Sequence, residues 1–397
     1  MSSDNQLNPY KRNIFKVYVL AFIFGIHTVR GVYYPYMIEW GGISFFEIMI
    51  LQSYFTLMIF LLEIPSGAIA DYLGRKKAII LAALTVSLAA FFYSIYPLFL
   101  LFVIAETLWA FSSALFSGTF EAFVFSSLKI YGEEKKLPQI LARFNTINLV
   151  ALTLSAPLGA LIASLISLQF TMTTLGFIYL IGFLLAFWFK EAPFKTEQQT
   201  EKYIDIIKEG FRELRRNKIL RILMLDRLFI NVFIAFLFWI YQPYLTSLGV
   251  NLFWMGIINS LMNITNMFFT LLIPKMMALY KNKLRFLIMV DLINAIAYIL
   301  IGIFINVIIG IIMILMIVAF GYPRFLIYTN AINNQIASEN RATVLSTINM
   351  FSSILRAIMY PIIGVLGEIN VYAVFLITGL MILLFTVTSR VKKEYLE

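Results

Sequence analysis

The residues best placed to do chemistry in this 397-residue chain lie inside long apolar runs. His27 and Arg30 stand three positions apart, with Tyr34 one helical turn further. Glu106 shares a helical stripe with Trp109 and Ser113. Asp226 is followed by Arg227, and Arg324 follows Pro323 with Tyr328 one turn on. Arg356 sits within another apolar run near the C-terminus. An ionisable group at the centre of a bilayer costs about 2.5–3.5 kcal/mol on insertion scales, so each is retained for a reason. The chemistry open to a carboxylate there is proton uptake, with a nearby arginine holding the charged form until the two separate. The alternative is that such pairs only hold helices together.

Depth along a helix can be counted at 1.5 Å per residue. Arg30 falls about 16 residues from one end of its run, and Glu106 about 8 from the opposite end of its own, which puts them at one level. Asp226 and Arg324 both fall about 7 residues in from the same side. Two pairs are therefore expected, Arg30 with Glu106 and Asp226 with Arg324. Asp291 and Asn294 are further intramembrane polar groups, while Asn148 reads equally as interhelical glue. Arg356 either attracts an anion or pairs with a carboxylate. His27 is the chain's one histidine and there is no cysteine. It reads as a polar cavity residue rather than a metal ligand, and no cofactor is called for.

The elements that must position these groups are membrane spans. The chain is 61% hydrophobic and contains 38 phenylalanines, against roughly 45–50% apolar residues in soluble domains. About 20 residues cross the hydrocarbon core as a helix. Twelve spans are expected near 14–37, 45–66, 77–96, 98–122, 139–163, 169–189, 219–245, 252–273, 285–304, 307–330, 342–366 and 371–389. The loops after the odd-numbered spans, centred near Gly41, Pro97, Ser167, Gly249, Asn306 and Ile369, hold none of the 31 Lys and Arg residues. Basic residues collect in cytoplasmic loops, so both termini are expected in the cytoplasm. The net charge of +10 belongs to this bias and does not call for a nucleic acid.

Three segments are expected: a six-helix bundle over 1–189, a cytoplasmic linker over 190–218, and a second six-helix bundle over 219–397. In the linker Tyr203, Ile207, Phe211 and Leu214 recur at helical spacing among Lys208, Arg212, Arg215 and Arg216. That pattern predicts an amphipathic helix lying on the membrane surface. The bundles repeat: Tyr33-Tyr34-Pro35-Tyr36-Met37 has a counterpart 208 residues on, Tyr241-Gln242-Pro243-Tyr244-Leu245. A second echo links Thr146-Ile147-Asn148 and Pro157 with Thr347-Ile348-Asn349 and Pro361. The fold expected is an all-α membrane protein of twelve transmembrane helices, in two bundles related by pseudo-twofold symmetry.

Between the second and third spans the chain reads Gly67-Ala68-Ile69-Ala70-Asp71-Tyr72-Leu73-Gly74-Arg75-Lys76-Lys77. Glycines at 67 and 74 allow tight turns and close helix approach, and Asp71 precedes Arg75 at ion-pair spacing if the segment is helical. This G-x-x-x-D-x-x-G-R-K run, with twelve spans and a six-plus-six repeat, resembles the major facilitator superfamily, and the chain looks drug–proton antiporter-like within it. The resemblance implies that the first, fourth, seventh and tenth helices line a central cavity. It also implies that Gly67, Asp71, Gly74, Arg75 and Lys76 form a conformational latch, opposite a helix start for which Ser338 is the expected cap. The second half keeps the charge of this loop but puts Tyr280 where Asp71 would be. Two departures stand out. Glu106 occupies a place where many members carry arginine, and Ala156-Pro157-Leu158-Gly159-Ala160 keeps only part of the antiporter pattern in the fifth helix.

The expected function is secondary active transport of a small amphipathic organic molecule across the cell membrane by alternating access, as proton-coupled multidrug efflux. The coupling and substrate groups would be His27, Arg30, Tyr34, Glu106, Trp109, Asp226, Arg324 and Arg356. An uptake symporter or facilitator for a small metabolite or organic anion is the alternative, with the arginines as binding charges. Tyr33, Tyr34, Tyr36, Trp109, Trp239, Tyr241 and Tyr244 either face the cavity or form the interfacial belt. No nucleophile–base constellation, paired histidines or phosphate-binding loop appears, so an enzyme is not expected. The expected partners are the substrate, protons and the lipid bilayer, with the chain acting as a monomer.

Overall fold

The computed structural model describes residues 3–191, 203–280, 282–336 and 341–396, and among these no residue lies in a β-strand. Twelve helices among the described residues are long and apolar enough to cross a membrane. The chain runs α1 (Ser3–Gly25), α2 (Phe45–Leu73), α3 (Arg75–Ile95), α4 (Phe99–Lys129), α5 (Leu137–Leu165) and α6 (Leu168–Ala186). It continues with α7 (Tyr203–Arg216), α8 (Lys218–Ala235), α9 (Leu237–Ser247), α10 (Leu252–Leu279), α11 (Lys283–Ile303), α12 (Val307–Asn334), α13 (Arg341–Ile369) and α14 (Val371–Thr388). Helices account for the spans because each satisfies its own backbone groups where no water can.

The chain divides into two compact units. The first comprises Met1–Ile43, Leu51–Gln199 and Leu252–Ser260. The second comprises Ser44–Ile50, Thr200–Asn251 and Leu261–Glu397. The core of the first gathers Val17, Leu20, Phe120, Phe123, Val124 and Ile140 from α1, α4 and α5. The core of the second gathers Leu220, Phe286, Tyr328, Ile332 and Ile348, and draws in Leu396 from the C-terminal tail.

Three local expectations need correcting. The first span is not one helix. It breaks after Gly25 and resumes as a 3-10 turn over Arg30–Val32 and a π-turn over Tyr36–Trp40. The cause lies on α5. A Cβ at Gly159 would fall 1.6 Å from the Thr28 carbonyl oxygen, so only glycine lets α5 meet the broken backbone. Two groups along the broken segment find partners on other helices. The His27 amide donates to Ser155 Oγ (2.9 Å), and Thr28 Oγ1 donates to the Thr171 carbonyl (2.7 Å). A break at this depth survives because protein rather than lipid covers it. Gly159→Ala should therefore cost at least the ~1–3 kcal/mol of ordinary overpacking, read as a lower melting temperature of the purified protein. An unchanged melting temperature would contradict this account of the break.

The seventh span bends at Phe236, between α8 and α9, and the Tyr298 hydroxyl donates to the Ile234 carbonyl there (2.9 Å). Second, α7 is not simply a surface helix. Leu214 is buried in the second unit's core while Phe211 is exposed. Third, α2 runs on to Leu73, so Gly67 lies inside a helix with open space where its side chain would be. It makes neither the turn nor the close approach expected. Gly74 does make the turn, at φ +88°.

Candidate functional site

Each unit holds a buried polar cluster built around an ionisable side chain. In the first, Glu106 on α4 is 5% exposed. Its Oε1 accepts from the Tyr93 hydroxyl of α3 (2.5 Å) and from Gln52 Nε2 of α2 (2.9 Å). Gln52 Nε2 also donates to the Tyr33 hydroxyl (3.1 Å). The donors to this carboxylate are neutral, and the expected Arg30–Glu106 pair is not formed. The reason is the break in the first span. Depth counting presumes a continuous helix, and here α1 stops at Gly25 and Arg30 opens a 3-10 turn; Tyr33 joins the Glu106 network while Arg30 engages other groups. His27 stacks on Trp109, with ring centroids 5.6 Å apart at 28°. Trp109 in turn meets Tyr93 and Tyr179 edge to face. Tyr34 is half-buried on the same segment.

In the second unit Arg324 on α12 is fully buried. Its Nε donates to Asp291 Oδ1 of α11 (2.8 Å), and its Nη2 forms an ion pair with Asp226 of α8. Tyr328 and Ser389 hydroxyls also donate to Asp226, the latter to Oδ2 at 2.5 Å. The expected Asp226–Arg324 pair thus forms, and it forms as part of a larger cluster in which one guanidinium serves two carboxylates. Arg227 is 8% exposed, with its guanidinium 4.6 Å from the Phe325 ring centroid. Arg356 donates from Nη2 to Ser353 on its own helix (3.2 Å) and joins neither cluster.

The two clusters are not symmetry mates. The two echoes lie about 201 to 208 residues apart, which puts residues 307–314 opposite Glu106, a stretch with no acid in it. A duplicated scaffold carries an isolated acid in one copy and a closed ion network in the other. The tyrosines of the repeated motif are mostly core residues: Tyr36, Tyr241 and Tyr244 are fully buried and belong to neither an aqueous cavity nor an interfacial belt.

At the α2–α3 junction the first turn of α3 is capped from a distance. Glu191 accepts from the Arg75 amide (3.2 Å) and the Lys76 amide (2.7 Å), a carboxylate at a helix N-terminus. Arg75 Nη1 donates to the Ala122 carbonyl of α4 (2.7 Å). Asp71 is exposed and makes no ion pair with Arg75. Beside it lies a cavity of about 240 Å³ lined by Glu63, Ser66, Gly67, Asp71 and Gly118, among others. Ser338, the expected cap, lies outside the described residues.

A second cavity, of about 340 Å³, lies within the second unit. Its walls are apolar apart from Asn231 and Asn266. Among the described residues no three His, Asp or Glu side chains gather where they could hold a metal ion. Gln52, Tyr93, Ser389 and Glu191 were not singled out by sequence reasoning. The signal for Gln52 was present, a polar residue in the apolar run Ile50-Leu51-Gln52. For Glu191 there was none, since its partners lie 115 and 116 residues away.

The geometry has clear relatives among solved structures. The nucleoside transporter NupG is 13% identical, with 96% of this chain and 99% of that chain covered at a TM-score of 0.78. A bacterial homolog of the human lysosomal transporter Spinster, in an inward-facing and occupied conformation, is 14% identical, with 96% of each chain covered at a TM-score of 0.74. The D-xylose–proton symporter is 12% identical, with 96% and 98% covered at a TM-score of 0.70. At these identities the likeness speaks to fold. No curated protein matches the sequence. The family profile described as Major Facilitator Superfamily matches residues 17–359. The chain therefore belongs to the major facilitator superfamily, and it is a multi-pass membrane transporter rather than an enzyme.

Proposed function

We propose that this chain is a secondary active transporter that moves a small amphipathic organic molecule across the cell membrane by alternating access, coupled to protons and in the direction of efflux. The observation that carries the coupling is the setting of Glu106. A buried carboxylate held by a tyrosine and a glutamine alone has no fixed counter-charge, so gaining a proton removes an uncompensated charge from a low-dielectric site. Asp226 and Asp291 differ, because Arg324 neutralises them in part. Coupling thus sits in the first unit and a structural ion network in the second. His27 and Trp109, with Arg30 and Tyr34 on the same broken segment, would contact substrate near Glu106. A solved neighbour is by its title a proton symporter, so proton coupling has a precedent on this fold.

The remaining parts of the reading follow the sequence. Both termini lie in the cytoplasm, because the basic loops alternate with loops free of Lys and Arg. Residues 1–189 and 219–397 act as the two moving bundles, joined by 190–218. Gly67, Asp71, Gly74, Arg75 and Lys76 form the latch, and the exposed, unbridged Asp71 is its free half. Uptake of a small organic anion remains the alternative because Arg227 and Arg356 carry buried guanidinium nitrogens that lack acceptors among the described residues.

Inverted membrane vesicles with an imposed pH gradient, acid inside, test the direction and the coupling together. An effluxed substrate should accumulate inside and then leak out when the gradient is collapsed. Accumulation only when the acid side is outside would mean proton symport and uptake, and accumulation indifferent to the gradient would contradict proton coupling.

A further inference from the structure

The second unit's cavity and the arginine beside it define what kind of molecule fits there. The cavity, of about 340 Å³, is walled by Ile234, Leu237, Met262, Ile317 and Val318, with Asn231, Asn266 and Phe325 also lining it. That volume lies at the small end of the range for organic ligands. Arg227 stands four residues before Asn231 on α8, hence on the same helix face. Its guanidinium lies over Phe325, 4.6 Å from the ring centroid. Phe325, against this charge, and Asn231, one turn along the helix, both line the cavity, which Arg227 itself does not.

Arg227 is 8% exposed, and its Nη1 has no hydrogen-bond partner among the described residues. Nearby acids are already committed. Asp226 accepts from Arg324 and Tyr328 at Oδ1 and from Ser389 at Oδ2, while Asp291 accepts from Arg324. A buried guanidinium donor left without an acceptor is costly, and such positions in native proteins call for an explanation. A stacked, planar guanidinium is also pre-shaped to receive a carboxylate.

We infer that this cavity binds an amphipathic organic anion, an aromatic or aliphatic monocarboxylate, with its apolar body among Ile234, Met262 and Val318 and its carboxylate on Arg227. This rests on the transport reading above and narrows its substrate class. Asn231 would add a side-chain amide at the polar end, while Asn266 marks a second polar spot on the wall.

The test uses the full-length protein in phosphatidylcholine nanodiscs and isothermal titration with three probes of one shape: 2-naphthoate, 2-naphthalenemethanol and 2-naphthylmethylamine. The acid should bind saturably and about tenfold or more tighter than the alcohol, with the amine weakest. Arg227→Gln should bring the acid down to the affinity of the alcohol, and Val318→Trp, which fills the cavity, should abolish binding of both. Thermal unfolding identifies any variant that fails to fold, and the comparison of probes on the unaltered protein does not depend on the variants. Equal or tighter binding of the amine would overturn the inference, as would an acid affinity unchanged in folded Arg227→Gln. Naphthoate binding as expected, with no substrate movement in proteoliposomes, would uphold the site and sink the transport reading instead.

Discussion

Arg324→Gln should destabilise the protein by about 3–5 kcal/mol, the usual cost of removing one partner from a buried ion network. The substitution leaves Asp226 and Asp291 inside the second unit with no cation between them, where Arg324 now reaches both from a fully buried position. That is a large share of the 5–15 kcal/mol by which folded domains are usually stable. Arg324→Lys should rescue little, because one ammonium cannot reproduce a fork that sends Nε to one carboxylate and Nη2 to the other. Removing all three charges together, as Arg324→Met with Asp226→Asn and Asp291→Asn, should recover much of the loss, since the penalty belongs to the uncompensated acids. Melting temperature and monodispersity of the purified variants measure this. A single Arg324→Gln as stable as the parent protein would contradict the assignment of this cluster as the structural network.

Glu106→Gln should have the opposite profile, a folded protein with uncoupled transport. Glutamine keeps the shape, and its carbonyl oxygen can still accept from Tyr93 and Gln52 at the place of Oε1. No proton is left to exchange, so substrate should run only downhill and the accumulation ratio in energised vesicles should fall to about one. Glu106→Asp keeps the acid but draws it back by one methylene from Tyr93 and Gln52, so it should retain coupling at a reduced rate. The two clusters differ in what they lose: Arg324→Gln lowers stability, while Glu106→Gln keeps stability and loses its drive.

Much of the architecture is legible in the chain because lipid imposes it. Spans need about 20 apolar residues, and the Lys-free and Arg-free loops alternate with basic ones regardless of tertiary detail. The Asp226–Arg324 pair is legible for a related reason, since α8 and α12 are unbroken through those residues and residue counting converts directly into depth. The Arg30–Glu106 pair fails on the same arithmetic, because α1 stops at Gly25. Gly25 marks the place where α1 stops, but residues 14–37 do not show what covers the break. It depends on Gly159 and Ser155 of α5, more than 120 positions away, which bring a backbone and a hydroxyl up to Thr28 and His27. Gly67 misleads in the other direction. A glycine in a loop-like motif suggests a turn, yet the positive φ belongs to Gly74 alone of the two. The motif therefore points to the family without describing its own local geometry, and Glu191, which caps α3, is invisible until the chain is folded.

Coupling through one acid is the claim on which the functional account stands, and proton release on substrate binding measures it without a membrane gradient. Purified protein in a weakly buffered solution with a pH indicator should release about one proton per substrate bound, by reciprocity between the two ligands. Glu106→Gln should bind the same substrate and release none. Proton release of equal size from folded Glu106→Gln would contradict the account and move the coupling site elsewhere.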